Sequence, residues 1–388
     1  MKKVSKIAIA LTIFFSLFPL ARTAAAQADD DPVTIGFYRN IRSEALNENR
    51  RILVYLPENY EKASVSYPVV YLLYGDRIAQ YFAEAVHVVH VLGSDGIMPP
   101  MILVGIDEVD RYRDLLPLRD DGSPTGIDRF TRYLKEEVIP YVDRNFRTKD
   151  YRILVGPQAG ANFGLYTLFT SPDLFGAYIL DHPFRWRGGR DAMLEAAESH
   201  LSEAKTFNKF LFITSRTNDF LEKEGWPYLE KLEDIIERFK PRGFRYVNDF
   251  LESNDDFFSP TGLEPGLKEL FNEYQIPADL KIGSLADLKA FYRGLSDSYG
   301  FEVDIPEFVL TQRCDKLLES GNLEKAMEML LFTRDLHPDS ANAYWRLANI
   351  YREQGKIEEA ILYYKKAVEL VPNFVPAMEW IKRLEKKR

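Results

Sequence analysis

Tyr151-Arg-Ile-Leu-Val-Gly156-Pro-Gln158-Ala-Gly160-Ala-Asn-Phe163-Gly-Leu-Tyr-Thr-Leu-Phe169 decides the fold of this chain. The run Tyr151–Val155 is short and apolar, as expected of a strand covered on both faces. Phe163, Leu165, Tyr166, Leu168 and Phe169 then make an apolar helix. Between them, Gly156 and Gly160 bracket a tight turn, and small Ala161 lets helix and strand approach closely. A strand that feeds straight into a helix is the building unit of a parallel sheet.

The same grammar extends outward. Short apolar runs at Arg51–Leu56, Pro68–Leu73, Met101–Ile106, Ala177–Leu180, Phe210–Thr214 and Tyr246–Leu251 read as further strands. Helical spacing separates them, as at Phe130, Tyr133, Leu134, Val138 and Tyr141, and at Leu229, Leu232, Ile235, Ile236 and Phe239. This pattern predicts an α/β sandwich with a mostly parallel central sheet and helices on both faces, over residues 29–277.

Beyond Pro277 the strand signal stops. Ser284 with Asp287 is a capping box, followed by Leu285, Leu288, Phe291, Tyr292 and Leu295 at helical spacing. A repeat of 34 residues then pairs Gly321 with Gly355, Ala326 with Ala360, Pro338 with Pro372, and Cys314 with Ala348. Leu347, Ala348, Tyr351, Gly355, Ala360, Ala367 and Pro372 carry the stronger copy, and Arg313 weakens the first. The period and pattern resemble tetratricopeptide repeats, at about 307–340 and 341–374. Phe374, Met378, Ile381 and Leu384 form a closing helix with cations at its end. Residues 278–388 are thus expected to be an all-α stack leaning on the α/β part, because two repeats bury too little apolar surface alone.

The 388 residues are 46% hydrophobic and 28% charged, the globular range, which excludes disorder, collagen and a multispanning membrane protein. Net charge is −9. Residues 1–28 hold Lys2, Lys3, Lys6 and Arg22 and no acid, so without them it falls to −13. That sign opposes binding to nucleic acid or anionic lipid. The single cysteine, Cys314, excludes an intrachain disulfide and fits close helix packing. The three lysines, the apolar run Ile7–Ala21 and the small residues Thr23–Ala26 predict a signal peptide over residues 1–28, cleaved after Ala26 or Ala28. An exported protein, periplasmic or secreted, follows, with no stable membrane anchor after cleavage.

Several stretches together resemble the esterase branch of the α/β-hydrolases, the enterochelin-esterase-like group. They are Arg51-Ile-Leu-Val-Tyr-Leu-Pro57, Tyr67-Pro-Val-Val-Tyr-Leu-Leu73, Ile106-Asp-Glu-Val-Asp-Arg-Tyr-Arg-Asp114, Glu136-Glu-Val-Ile-Pro-Tyr-Val-Asp143, Phe146-Arg-Thr148 and Ser171-Pro-Asp-Leu-Phe-Gly-Ala-Tyr178. Active members of that group turn from strand to helix through Gly-x-Ser-x-Gly, which lifts the serine above the sheet edge. Gln158 stands at that serine's place, and a carboxamide cannot be activated into an acyl-enzyme nucleophile. The resemblance implies that the family histidine falls at Asp255 and the acid at Asp219, with Glu222 and Glu224 as weaker candidates. It also implies oxyanion donors at Ala159 and in the loop opened by Tyr74 and Gly75. The triad is degenerate at Gln158, Asp219 and Asp255.

Among five histidines, His182 follows the strand beside the elbow and is a candidate pocket residue. His87 and His90, three apart on a helix, lack a motif for a third ligand, so no metal and no cofactor are expected. Arg111 and Arg113 either meet an anionic ligand group or pair with Asp110 and Asp114. The expected function is a non-catalytic pseudo-esterase that binds a ligand in its cleft and a protein or peptide on its repeats. The alternative is a serine-independent or metal-assisted hydrolase of carboxylic esters.

Overall fold

The computed structural model describes residues 34–386 except 59, 62, 74–77, 108–109, 217–219, 252–261 and 278–283. The expected signal peptide and residues Tyr74, Gly75, Asp219 and Asp255 lie outside the described residues. Eight strands form one sheet: β1 (Phe37–Ser43), β2 (Glu48–Tyr55), β3 (Tyr67–Leu73), β4 (Ile102–Ile106), β5 (Thr148–Pro157), β6 (Ala177–Asp181), β7 (Thr206–Arg216) and β8 (Arg242–Leu251). Their order is β1-β2-β4-β3-β5-β6-β7-β8. Strands β3 to β8 run parallel, while β2 pairs antiparallel with both β1 and β4.

Period-two alternation divides the core between the two faces. Val69, Tyr71 and Leu73 of β3 point to one side, with Leu154, Tyr178, Leu180, Leu211 and Ile213. Val70 and Leu72 point to the other, with Ile153, Val155, Ile179, Phe210 and Phe212. The first face is covered by α3 (Ile127–Arg132), a π-helical segment (Tyr133–Val138), α4 (Ile139–Asn145), α5 (Ala159–Thr170), α6 (Arg190–Glu203) and α7 (Phe220–Phe239). The second is covered by α1 (Ile78–Ser94) and α8 (Leu263–Leu270). A one-turn helix, α2 (Arg111–Asp114), joins β4 to this scaffold and is capped by Asp110, whose carboxylate accepts from the N–H groups of Tyr112 and Arg113.

Strand β1 carries no apolar run of its own. Its sequence alternates charge with burial only at Ile41 and Ser43, because it is an edge strand open to solvent. The strands β7 and β8 are longer than their apolar centres, since their ladder runs from the Thr206–Arg242 pair to the Arg216–Leu251 pair.

The tail is helical throughout: α9 (Leu285–Tyr299), α10 (Glu307–Glu319), α11 (Leu323–Leu336), α12 (Ala341–Glu353), α13 (Ile357–Leu370) and α14 (Val375–Glu385). Ser284 caps α9 by accepting from the Asp287 N–H at 3.2 Å. Residues of α9 to α12, among them Leu288, Tyr292, Leu310 and Leu347, share one apolar core with the second face of the sheet. Tyr151 of β5 stacks on Phe301 of the tail at 4.5 Å between centroids. The stack therefore does lean on the sheet, and Ile35–Arg388 is one unit.

The two repeats share turn hydrogen bonds and buried positions. Asn322 N–H donates to the Leu317 carbonyl, and 34 residues later Lys356 N–H donates to that of Tyr351. Cys314 and Ala348, like Ala326 and Ala360, are fully buried. Cys314 lies against α11, with its sulfur 3.8 Å from the Ala326 carbonyl, and burial pushes its thiol up to about 11. Leu347 and Ala367 are also fully buried, while Tyr351 is half-buried. Four of the expected packing residues do other work. A Cβ on Gly321 or Gly355 would meet nothing within 4 Å, and the two adopt φ of +74° and +76°, the left-handed turn that favours glycine. Pro338 and Pro372 are exposed in the turns after α11 and α13, where a residue without an N–H ends a helix cleanly.

Candidate functional site

The order of strands reverses between β3 and β5, since β4 lies to one side of β3 and β5 to the other. In open α/β sheets, the crevice outside the carboxyl ends at such a point is where ligands bind. Gln158 sits there, immediately beyond β5 and before α5. Its backbone is at φ 52°, ψ −114°, a conformation that a side chain other than glycine's rarely adopts. Its N–H donates to the Asp181 carbonyl at 2.7 Å, and its own carbonyl accepts from Ala161 and Asn162.

The glycines make this bend possible. A Cβ on Gly156 would lie 2.4 Å from the Gly160 carbonyl oxygen, and one on Gly160 would lie 3.0 Å from that of Leu73, at the end of β3. Gly164, one turn on, would drive a Cβ to 2.5 Å from the Leu180 side chain. Strand, turn and helix are thus pressed together as the hydrolase elbow requires, with an amide at its head. Ala159 occupies the first position of α5, where a helix N–H has no partner within the helix.

Beside the elbow, β6 ends in Asp181, whose carboxylate Oδ1 accepts from the Thr214 hydroxyl at 2.5 Å and lies 2.6 Å from His182 Nδ1. His182 is buried, at φ 62°, and its N–H donates to the Thr214 carbonyl. Asp181 contacts Gln158 through its carbonyl and His182 through its carboxylate, so His182 lies beside the elbow. A carboxylate on Nδ1 makes Nδ1 a proton-bearing nitrogen.

Two buried polar residues that sequence reading passed over hold the following loop. Asn162 Oδ1 accepts from the Phe184 N–H at 3.1 Å, and its Nδ2 donates to the Trp186 carbonyl. Arg190 donates to the carbonyls of Phe184, Arg185, Trp186 and Glu224, and burial lowers its pKa. An asparagine inside an otherwise apolar helix was the available signal for the first. Tyr112 of α2 meets Trp186 of this loop edge to face at 5.1 Å.

Arg113 is held within the protein. It donates to Glu48 at 2.7 Å and to Asp114 at 2.6 Å, and Asp114 in turn binds Arg50 at 2.8 Å, with Asp114 and Arg50 both fully enclosed. Arg113 thus pairs with Asp114 inside the tract and with Glu48 outside it, while Asp110 caps α2. Arg111 opens α2, half-buried. Glu224 takes a bidentate contact from Arg187, at 3.0 and 2.8 Å, which places it in a surface pair. Among the described residues, no three His, Cys, Asp or Glu side chains gather as a metal site.

A doubly covered, mostly parallel sheet with a strained strand-to-helix elbow at its switch point defines the α/β-hydrolase sandwich. Comparison with known proteins agrees. Residues 43–205 match the family described as "Putative esterase", and residues 341–374 match the tetratricopeptide repeat family. The chain thus joins a segment that matches the esterase family to a C-terminal segment that matches the repeat. It is 28% identical over 158 residues to the ferri-bacillibactin esterase BesA of Bacillus subtilis, covering 35% of this chain and 55% of that one. It is 30% identical over 134 residues to a siderophore enterobactin esterase of Emericella nidulans, covering 32% and 43%. The chain therefore spans about half the length of these curated relatives. An IroE-like serine hydrolase from Shewanella oneidensis shares the fold at a TM-score of 0.65 and 24% identity, over 77% of this chain and 99% of that one.

Proposed function

We propose that this protein is an exported, non-catalytic relative of the esterases, a pseudo-esterase that holds a ligand in the crevice over the elbow and a protein or peptide on its helical repeats. Gln158 carries this reading: the elbow keeps its glycines, its positive φ and its contact with Asp181, yet presents a carboxamide. Such a group offers no oxygen that a base can turn into a nucleophile. The chain also holds no histidine between His200 and His337, where the resemblance would require one. Relatives named for bacillibactin and enterobactin make a catecholate siderophore ester the first ligand to titrate.

The full-length protein should take no label from a fluorophosphonate probe and show no burst with p-nitrophenyl acetate. Stoichiometric labelling would overturn the reading. The pairing of His182 with Asp181 favours one other possibility, a hydrolase in which that imidazole activates a water. Ester turnover by the wild type that disappears in His182→Ala, and survives a chelator, would establish it.

A further inference from the structure

A cavity of 510 Å³ lies at the opposite end of the sheet from the elbow. One wall forms where the parallel strands begin, from Tyr67 of β3, Met101 just before β4, and Lys149 of β5, whereas Gln158 follows the far end of β5. The other wall is the segment Phe301 to Pro306, the first turn of α10 and Asn342 of α12. Docking of the helical tail on the sheet creates the space. Its volume falls in the range of about 300–1,000 Å³ usual for small-molecule sites.

The lining has two chemistries. Val65, Pro68, Val89 and Met101 supply apolar contact, and Tyr55, Tyr67, Phe301 and Phe308 supply aromatic rings. The Phe308 ring rests over Gly96, where a Cβ would lie 2.3 Å from it. Against these stand five carboxylates, Glu58, Glu302, Asp304, Glu307 and Asp339. Among the described residues of the lining, Lys149 is the one lysine or arginine, and Asp304 pairs with it at 2.8 Å. Arg147, behind Tyr67, gives its N–H groups to the carbonyls of Val65 and Tyr60. His337 Nε2 faces the Ile305 carbonyl at 3.1 Å, so Nε2 is a proton-bearing nitrogen. Four carboxylates remain after the Lys149 pair, and the Arg147 charge behind Tyr67 offsets only one of them, so the field of the described residues repels carboxylate and phosphate and attracts a cation.

We propose that this cavity binds a small organic cation, an ammonium or guanidinium carried on an apolar stem. The stem takes the apolar wall, and the charge takes the carboxylates and the aromatic faces, which attract cations through their ring quadrupoles. Because both walls close on the ligand, occupancy also stabilises the docked tail and raises the thermal midpoint.

Calorimetric titration of the full chain with 4-phenylbutylamine and with 4-phenylbutanol tests this directly, since the two probes differ chiefly in charge. The amine should bind about tenfold more tightly than the alcohol, and Glu58→Gln with Asp339→Asn should remove most of that advantage without changing alcohol binding. Equal affinity for the two probes, or no binding of the amine at millimolar concentration, would overturn the proposal. So would an unchanged amine affinity in the double variant. A melting curve of that variant confirms its fold, and if it fails to fold the comparison of probes on the wild type still decides.

Discussion

The N–H of Gln158 donates to the carbonyl of Asp181 at 2.7 Å, so the head of the elbow hangs from the end of the neighbouring strand. That bond helps hold Gln158 at φ 52°, where a residue with a side chain stores about 1–3 kcal/mol of strain. Glycine relieves the strain but brings an unfolded-state entropy cost of about 0.5–1 kcal/mol. Gln158→Gly should therefore stabilise the protein by about 1 kcal/mol, read as a raised urea midpoint. A lowered midpoint would mean that the amide makes a compensating contact.

Gly156→Ala should do the reverse. The added Cβ meets the Gly160 carbonyl at 2.4 Å, and backbone on both sides leaves no flexible group to yield. A loss of about 3 kcal/mol in chemical denaturation is expected, with the strand-to-helix turn displaced.

Asp114 sits fully enclosed between two guanidiniums, Arg50 and Arg113. Asp114→Ala leaves Arg50 charged and buried without that partner, which costs about 3–5 kcal/mol. Retention of wild-type stability in the denaturation curve would show that Glu48 takes over both cations.

Glu48 supplies the pH dependence of the same network. Its hydrogen bond from Arg113, with the nearby charge of Arg50, holds its carboxyl below the usual carboxylate range. A folded pKa below the unfolded one gives stability that is complete above about pH 4.5 and is lost as pH falls through the folded value. Thermal midpoints measured from pH 6 to pH 3 should fall more steeply for the wild type than for Glu48→Gln. Parallel curves would remove Glu48 from the account.

Phe301 ties the tail to the sheet through its stack on Tyr151. Phe301→Ala should cost about 3–5 kcal/mol, the usual penalty for emptying an aromatic core site. A double-mutant cycle with Tyr151→Ala should return a coupling of about 0.5–1.5 kcal/mol. A coupling near zero would place the docking energy elsewhere on the shared face.

Legibility varied with the distance over which each feature is encoded. The centres of seven strands were readable because covered strands concentrate apolar residues, whereas β1 escaped because its edge position leaves Tyr38, Arg39 and Asn40 exposed. The π-helical segment at Tyr133–Val138 has no residue pattern of its own inside a continuous helical periodicity. Gly321 and Pro338 were recognisable as repeat positions, but the period alone did not separate residues that pack from residues that turn or end a helix. Arg113 was left between two partners because Glu48, which receives it, lies 65 residues away.

The amino-acid sequence by itself determined that an amide occupies the head of the elbow, that histidine is missing from the stretch after His200 up to His337, and that a 34-residue unit recurs. Those facts are local: they depend on residue identity and spacing alone. The tertiary structure decided that Gln158 is held at positive φ by a neighbouring strand, that Asp181 orients His182, and that an acid-lined cavity opens where tail meets sheet. The hold on Gln158 and the cavity arise from contacts between separate segments, and Asp181 meets its neighbour His182 only because Thr214 of the next strand fixes both. Chain closure around the two faces of the sheet is what brings such groups to within a few ångströms.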